Sequence, residues 1–269
     1  MSVTYPLGFR AGGIQAGLRT TPGLDLALIV NDGPADVVAG VFTTNRVCAA
    51  PVQWSRHATA DHKARAVIVN AAVANACTGI DGFADCDITF SRVDSDACMS
   101  TNDTVVAMAS GASGISLTGD ELTAALTKLC AFWARQLVAD AEGSHHDVKV
   151  TVTGAISTEA AVAVAREVTR SNLVKTAIAG NDPNWGRILA AIGCVPENVA
   201  PFDPDQVDVS INDIQICKAG GIGEDRNLVD MRPREVHIDI ELHAGDAEAA
   251  VWTNDLTHQY VEENSEYTS

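Results

Sequence analysis

The 269 residues spell out a layered α+β protein. Three observations lead there. Short apolar runs of strand character and longer apolar patterns with helical spacing are both plentiful. They do not alternate strictly, which disfavours a doubly wound parallel sheet. Hydrophobic residues make up 46% and charged residues 20% of the chain, the balance of a folded protein, and the length suffices for one large domain or two small ones.

The first third reads as strands broken by turns. Leu24–Val30 is apolar around one candidate buried acid, Asp25. Asn31-Asp32-Gly33-Pro34 is a strong turn signal. Val37–Thr43 and Ala66–Asn70 are further strand candidates. Gly8, Gly12, Gly13 and Gly17 permit tight turns or close backbone approach. No P-loop Lys-Ser/Thr follows them, so a phosphate cradle is disfavoured. Ile80–Met99 is rich in aspartate, has no clear period and reads as a connection.

A long helix follows, capped by Asp120 or Thr118. Leu122, Leu126, Leu129, Trp133 and Leu137 recur at helical spacing, and the helix is expected to end near Glu142-Gly143. Val148–Thr153 alternates as a strand. A second helix runs from Ser157 or Thr158 to about Val168, and a short third one covers Trp185–Ile192. Val207–Ile211, Ile214–Lys218 and Val236–Leu242 complete the strands. The glycine-rich loop 219–223 lacks the strand–GxGxxG–helix order of a dinucleotide site.

The net charge of −17 and pI near 4.6 disfavour nucleic acid and anionic membrane surfaces as partners. No run reaches the ~18 apolar residues of a membrane span. The seven cysteines are widely spaced and odd in number, with no C-x-x-C pair, which suggests neither a disulfide framework nor a zinc knuckle. A reducing cytoplasm is the expected location.

Five constellations invite a chemical reading. His237, Asp239, Glu241 and His243 share one strand face and could ligate a metal. Neighbours on that face lie ~7 Å apart, which suits two ligands but not four, so a wet strand face is the preferred reading and no metal is expected. His145-His146-Asp147 reads as a solvated turn. Ser113 lies in Gly-Ala-Ser-Gly, not in a nucleophile elbow. Asn181-Asp182-Pro183-Asn184-Trp185-Gly186-Arg187 reads as structural, with carboxylate binding as the sharper alternative. Glu142 would sit at the negative end of a helix, a local misfit of the kind that function can hold in place.

Taken together, the unusual stretches resemble the ornithine acetyltransferase family. Gly8-Phe9-Arg10-Ala11-Gly12-Gly13, Asp25-Leu26-Ala27-Leu28-Ile29, Val41-Phe42-Thr43-Thr44-Asn45, Ala49-Ala50-Pro51-Val52 and Asn75-Ala76-Cys77-Thr78-Gly79 follow its opening in order. Ser100-Thr101-Asn102-Asp103-Thr104, Asp140-Ala141-Glu142-Gly143, Leu173-Val174-Lys175-Thr176-Ala177, Asp182 to Arg187, Asp255-Leu256-Thr257 and Tyr260 to Ser269 follow its second half.

The resemblance implies a layered αββα sandwich, here incomplete. Residues 1–88 would match the start of the family's first chain and 89–269 most of its second. It implies ping-pong acetyl transfer from N-acetylornithine to glutamate in arginine biosynthesis, through a threonine freed by self-cleavage whose own amine serves as base. No cofactor is implied. The partners implied are small molecules (N-acetylornithine, glutamate and ornithine), with an oligomer expected and a longer homologue among the candidate subunits. Glu142, Asn264 and the terminal Ser269 match the family's substrate contacts. One departure is large. The family's Ser-Thr-Gly oxyanion turn, its Lys-Gly run and its Ala-Thr-Met-Leu cleavage site, all expected after Gly79, are missing, so no catalytic residue is assigned. Thr101 and Thr104 lack a free amine beside the hydroxyl. The alternative is therefore a catalytically inactive remnant, or a protein that binds substrate or a partner.

Overall fold

The computed structural model describes residues 2–17, 22–70 and 92–266, and for Asn70 the backbone alone. These fall into two units: residues up to 70 with 99–127, and 92–98 with 128–266. Both mix helices and sheets, as the sequence predicts.

In the first unit, strands β1 (Phe9–Ile14), β2 (Leu26–Asn31) and β4 (Ala66–Asn70) form an antiparallel sheet in the order β1-β2-β4. Strand β3 (Val37–Phe42) pairs antiparallel with β5 (Thr104–Ala109). Helix α1 (Ala50–Ala58) opens with Pro51 in its first turn, where a missing N–H costs nothing. It buries Val52 beside Cys48 and Ala49. The turn after β2 is tied by Asn31, whose side chain accepts from Gly33 N (3.0 Å) and donates to Ala35 O (3.0 Å). A Cβ at Gly33 would stand 2.4 Å from Ser110 O, so the chains pack too closely there for any side chain. The glycines read as turns partly fall inside β1, where Gly12 pairs with Leu28 and Gly13 with Ala27.

Helix α2 (Gly119–Ala139) starts in the first unit and ends in the second. Thr118 caps it: its hydroxyl accepts from Glu121 N (3.3 Å), and the Glu121 carboxylate accepts from Thr118 N (2.8 Å), a reciprocal capping box. The apolar stripe lies elsewhere than expected. Cys130, Ala134 and Val138 are buried, while Leu122, Leu129, Trp133 and Leu137 are exposed. The line that packs is the one with the smaller side chains.

The second unit is built on one six-stranded sheet. Its order is β11-β6-β10-β7-β8-β9, from β6 (Asp147–Ala155), β7 (Asp208–Ile211), β8 (Ile214–Lys218), β9 (Gly221–Ile222), β10 (Glu235–Glu241) and β11 (Ala247–Asn254). Strands β6 and β10 are parallel, with Val148, Val150 and Val152 level with Val236, Ile238 and Ile240. All six valines and isoleucines are buried. Each contributes roughly 1.5–3 kcal/mol by leaving water. Helix α3 (Thr158–Arg170) packs on β6 and β11, and α4 (Asn172–Ala179) and α5 (Trp185–Ile192) pack beside it. Ser157 caps α3 by accepting from Ala160 N, and Ser171 caps α4 by accepting from Val174 N. A polar helix α6 (His258–Glu266) ends the described chain. Residues 92–94 run along β11: Asp94 N donates to Trp252 O (2.8 Å) and Trp252 N to Arg92 O (2.6 Å).

Candidate substrate site

Helix α2 stops at Ala139, and Glu142 lies on the turn beyond it. Gly143 takes φ +60°, and a Cβ there would stand 2.3 Å from Tyr260 N. Only glycine lets the turn lie against the start of α6. This close approach brings two of the sequence-predicted residues together. Asn264 Nδ2 donates to Glu142 Oε2 (3.2 Å) and to Tyr260 O (3.0 Å). Both amide hydrogens are thereby used, which fixes the amide's orientation and leaves Asn264 Oδ1 as an acceptor. Glu142 Oε1 is a second acceptor beside it. Ser269, the third predicted residue, lies outside the described residues.

Tyr260 reports the electrostatics. Its hydroxyl pKa is raised, first by partial burial, then by the negative charges of Asp96 and Glu142 and by Cys98. The phenol therefore keeps its proton in a negative field. A charged acceptor, a neutral acceptor and a negative potential suit an ammonium group.

Two residues of this site carried no role in the sequence reading. Asp255 is buried; its Oδ1 accepts from His145 N (2.9 Å) and His146 N (3.0 Å), and its Oδ2 bonds His146 Nδ1 (2.8 Å). His146 Nε2 meets Met231 O at 3.0 Å. The turn expected to be solvated thus buries His146, because a carboxylate and a carbonyl take both ring nitrogens. Thr257 donates to Gly143 O (2.7 Å) and accepts from Tyr260 N (3.1 Å). The visible signal was a Thr directly before a helix-length polar stretch, an N-cap pattern.

Close by, Lys175 is buried at 5% exposure. Its Nζ donates to Ser95 O, to Thr253 Oγ1 (3.2 Å) and to Asn254 Oδ1 (3.3 Å). Burial lowers its pKa from 10.5 to about 8, against the raising effect of Asp94, Asp96 and Asp255. With the Arg170–Asp94 ion pair (2.7 Å), it fastens residues 94–95 to the rest of the second unit.

The other constellations resolve as structure. Asn184 caps α5 by accepting from Arg187 N (3.2 Å), Asp182 pairs with Arg226 (3.0 Å), and Arg187 donates to Leu173 O (2.8 Å). His243 Nε2 bonds Asp208 Oδ2 at 3.0 Å. Among the described residues no group of three or more His, Cys, Asp or Glu is placed to hold a metal ion, and no helix is long and apolar enough to cross a membrane.

The sequence model of the ArgJ family matches this chain in two segments, residues 10–89 and 84–269. The arginine biosynthesis bifunctional protein ArgJ of Bifidobacterium longum (strain NCC 2705) is 40% identical over 391 aligned positions covering all of both chains. The Streptomyces coelicolor protein of the same name is 37% identical over 386 positions, again covering all of both. Set against 391 positions, 269 residues leave a shortfall of 122. The crystal structure of arginine biosynthesis bifunctional protein argJ from Bacillus halodurans matches with a TM-score of 0.62 at 34% identity, covering 68% of this chain and 89% of that one.

Proposed function

This chain belongs to the ArgJ family, and from that premise we propose that it serves arginine biosynthesis in acetyl transfer from N-acetylornithine to glutamate. The observation that carries the reading is the Glu142–Asn264 pair. A carboxylate and an amide oxygen, held side by side in a negative field, receive an amino group of an ornithine-type substrate. Ser269 is assigned as a further substrate contact by the family resemblance. Residues 1–88 are read as the start of the family's first chain and 89–269 as most of its second. The assembly is an oligomer, which a longer homologue could complete.

A second reading, binding without turnover, rests on the shortfall of 122 positions, while the names of the relatives support the first. The two matched segments meet at residues 84–89, within the region where the cleavage threonine and oxyanion turn are expected. The hydroxyl of Thr104 donates to Asn102 O (3.0 Å) and gains no base from that bond.

Both readings share one test. Ornithine binding is measured by calorimetry, and transfer of labelled acetyl from N-acetylornithine to glutamate by the pure protein is assayed beside it. Glu142→Gln should weaken ornithine roughly tenfold to a hundredfold, the ~1.5–3 kcal/mol of a hydrogen bond to a charged group. Turnover at the rate of the Bifidobacterium longum relative supports the first reading. Binding with no transfer supports the second. Ornithine affinity that is equal in the wild type and Glu142→Gln refutes the site.

A further inference from the structure

Asp255-Leu256-Thr257 has no role in the reading above, yet its side chains hold the turn that carries Glu142. Thr257 is the N-cap of α6, where its oxygen accepts from Tyr260 N at 3.1 Å. Its proton goes to Gly143 O at 2.7 Å. One buried hydroxyl therefore joins the residue after Glu142 to the helix that presents Asn264. Two residues before Thr257, Asp255 Oδ1 takes the backbone N–H groups of both His145 and His146. Three backbone groups within four residues of Glu142 are thus fixed by the 255–257 segment. Gly143 completes the fit, since any Cβ there would strike the backbone of Gln259 and Tyr260.

Glu142 itself is exposed and, among the described residues, makes one hydrogen bond, to Asn264. A long carboxylate side chain on a turn has many rotamers open to it, and fixing them costs free energy on binding. A turn already locked to α6 removes part of that cost before ligand arrives.

We infer that Thr257 is a positioning residue for the amino-acid site: its hydroxyl sets the separation of Glu142 and Asn264 and so the affinity for the substrate's amino group. The inference rests on the proposed function, and its test keeps the two apart. Thr257→Val preserves shape but removes both bonds, whereas Thr257→Ser keeps both. In the full chain, Thr257→Val should weaken ornithine at least tenfold, with Thr257→Ser within about twofold of the wild type.

A double-mutant cycle separates positioning from general damage. If Thr257 acts through Glu142, Thr257→Val in a Glu142→Gln background should cause no further loss. Additive losses would overturn the inference, as would unchanged affinity in Thr257→Val while Glu142→Gln weakens binding. Should the wild type bind no ornithine, the site reading falls, and hydrogen exchange still judges the clamp. Thr257→Val should speed exchange at the Tyr260 amide at least tenfold, and unchanged exchange would overturn the clamp. If Thr257→Val does not fold, Thr257→Cys, with a weaker donor and acceptor, carries the same measurements.

Discussion

Lys175 shows how one side chain couples stability to pH. Its proton is held less tightly in the folded chain (pKa about 8) than in the unfolded one (10.5), chiefly because of burial. Below about pH 8 both states carry the charge, and the residue contributes no slope. Between about 8 and 10.5 the folded state releases its proton while the unfolded state keeps it, so stability rises with pH. At ~1.4 kcal/mol per pH unit, the full rise is on the order of 3 kcal/mol. Urea denaturation at pH 7.5 and pH 10 should show the wild type gaining on Lys175→Met by about that amount. Equal differences at the two pH values would show that Lys175 ionises alike in both states. This lysine was visible in the sequence only as part of a motif. Its burial depends on Ser95, Thr253 and Asn254, which are distant in the chain and come together only in the fold.

Legibility of the elements followed how far each one's local pattern agreed with its packing. Trp185–Ile192 and Ile214–Lys218 were placed to the residue, because apolar periodicity and flanking turns coincide there. Strand β11 was missed: Ala247-Glu248-Ala249-Ala250 has helical composition, and it becomes a strand by pairing along β6. Helix α6 was missed because it buries no residue and shows no apolar face. Of the candidate site, Glu142 and Asn264 were found through family resemblance, while their supports Asp255 and Thr257 needed three dimensions. In α2 the helical spacing is as expected, but the buried line is Cys130, Ala134 and Val138 rather than the leucine and tryptophan stripe. Phe132, Trp133 and Leu137 stand 45%, 47% and 59% exposed. Adjacent exposed apolar groups promote association. Leu137→Lys should raise solubility and lower the apparent mass in light scattering, with stability changed by no more than ~0.5 kcal/mol. A loss of several kcal/mol would mean that Leu137 is a core residue.

Across the molecule, 35 acidic residues face 18 basic ones. A net charge of −17 repels itself more in the folded chain than in the expanded one. Screening should therefore stabilise the fold: between 0.01 and 0.3 M sodium chloride the melting temperature should rise by several degrees, as the Debye length falls from ~30 Å to below 10 Å. A falling melting temperature would mean that the ion pairs Arg170–Asp94, Arg234–Asp147 and Arg226–Asp182 outweigh the bulk repulsion.

Helix α2 also bears on how this polypeptide can be divided. The boundary between the units falls after Thr127, nine residues into a 21-residue helix and twelve from its end. The nine-residue stub falls short of the ~12–15 residues at which a helix begins to hold itself in water, and the twelve-residue stub only meets the lower bound. A cut there would fray the support of the Glu142 turn along with the capping box at Thr118. Expression fragments are therefore better ended before Thr118 than at the border itself, and a second-unit fragment needs residues 92–98 supplied with it to cover Lys175.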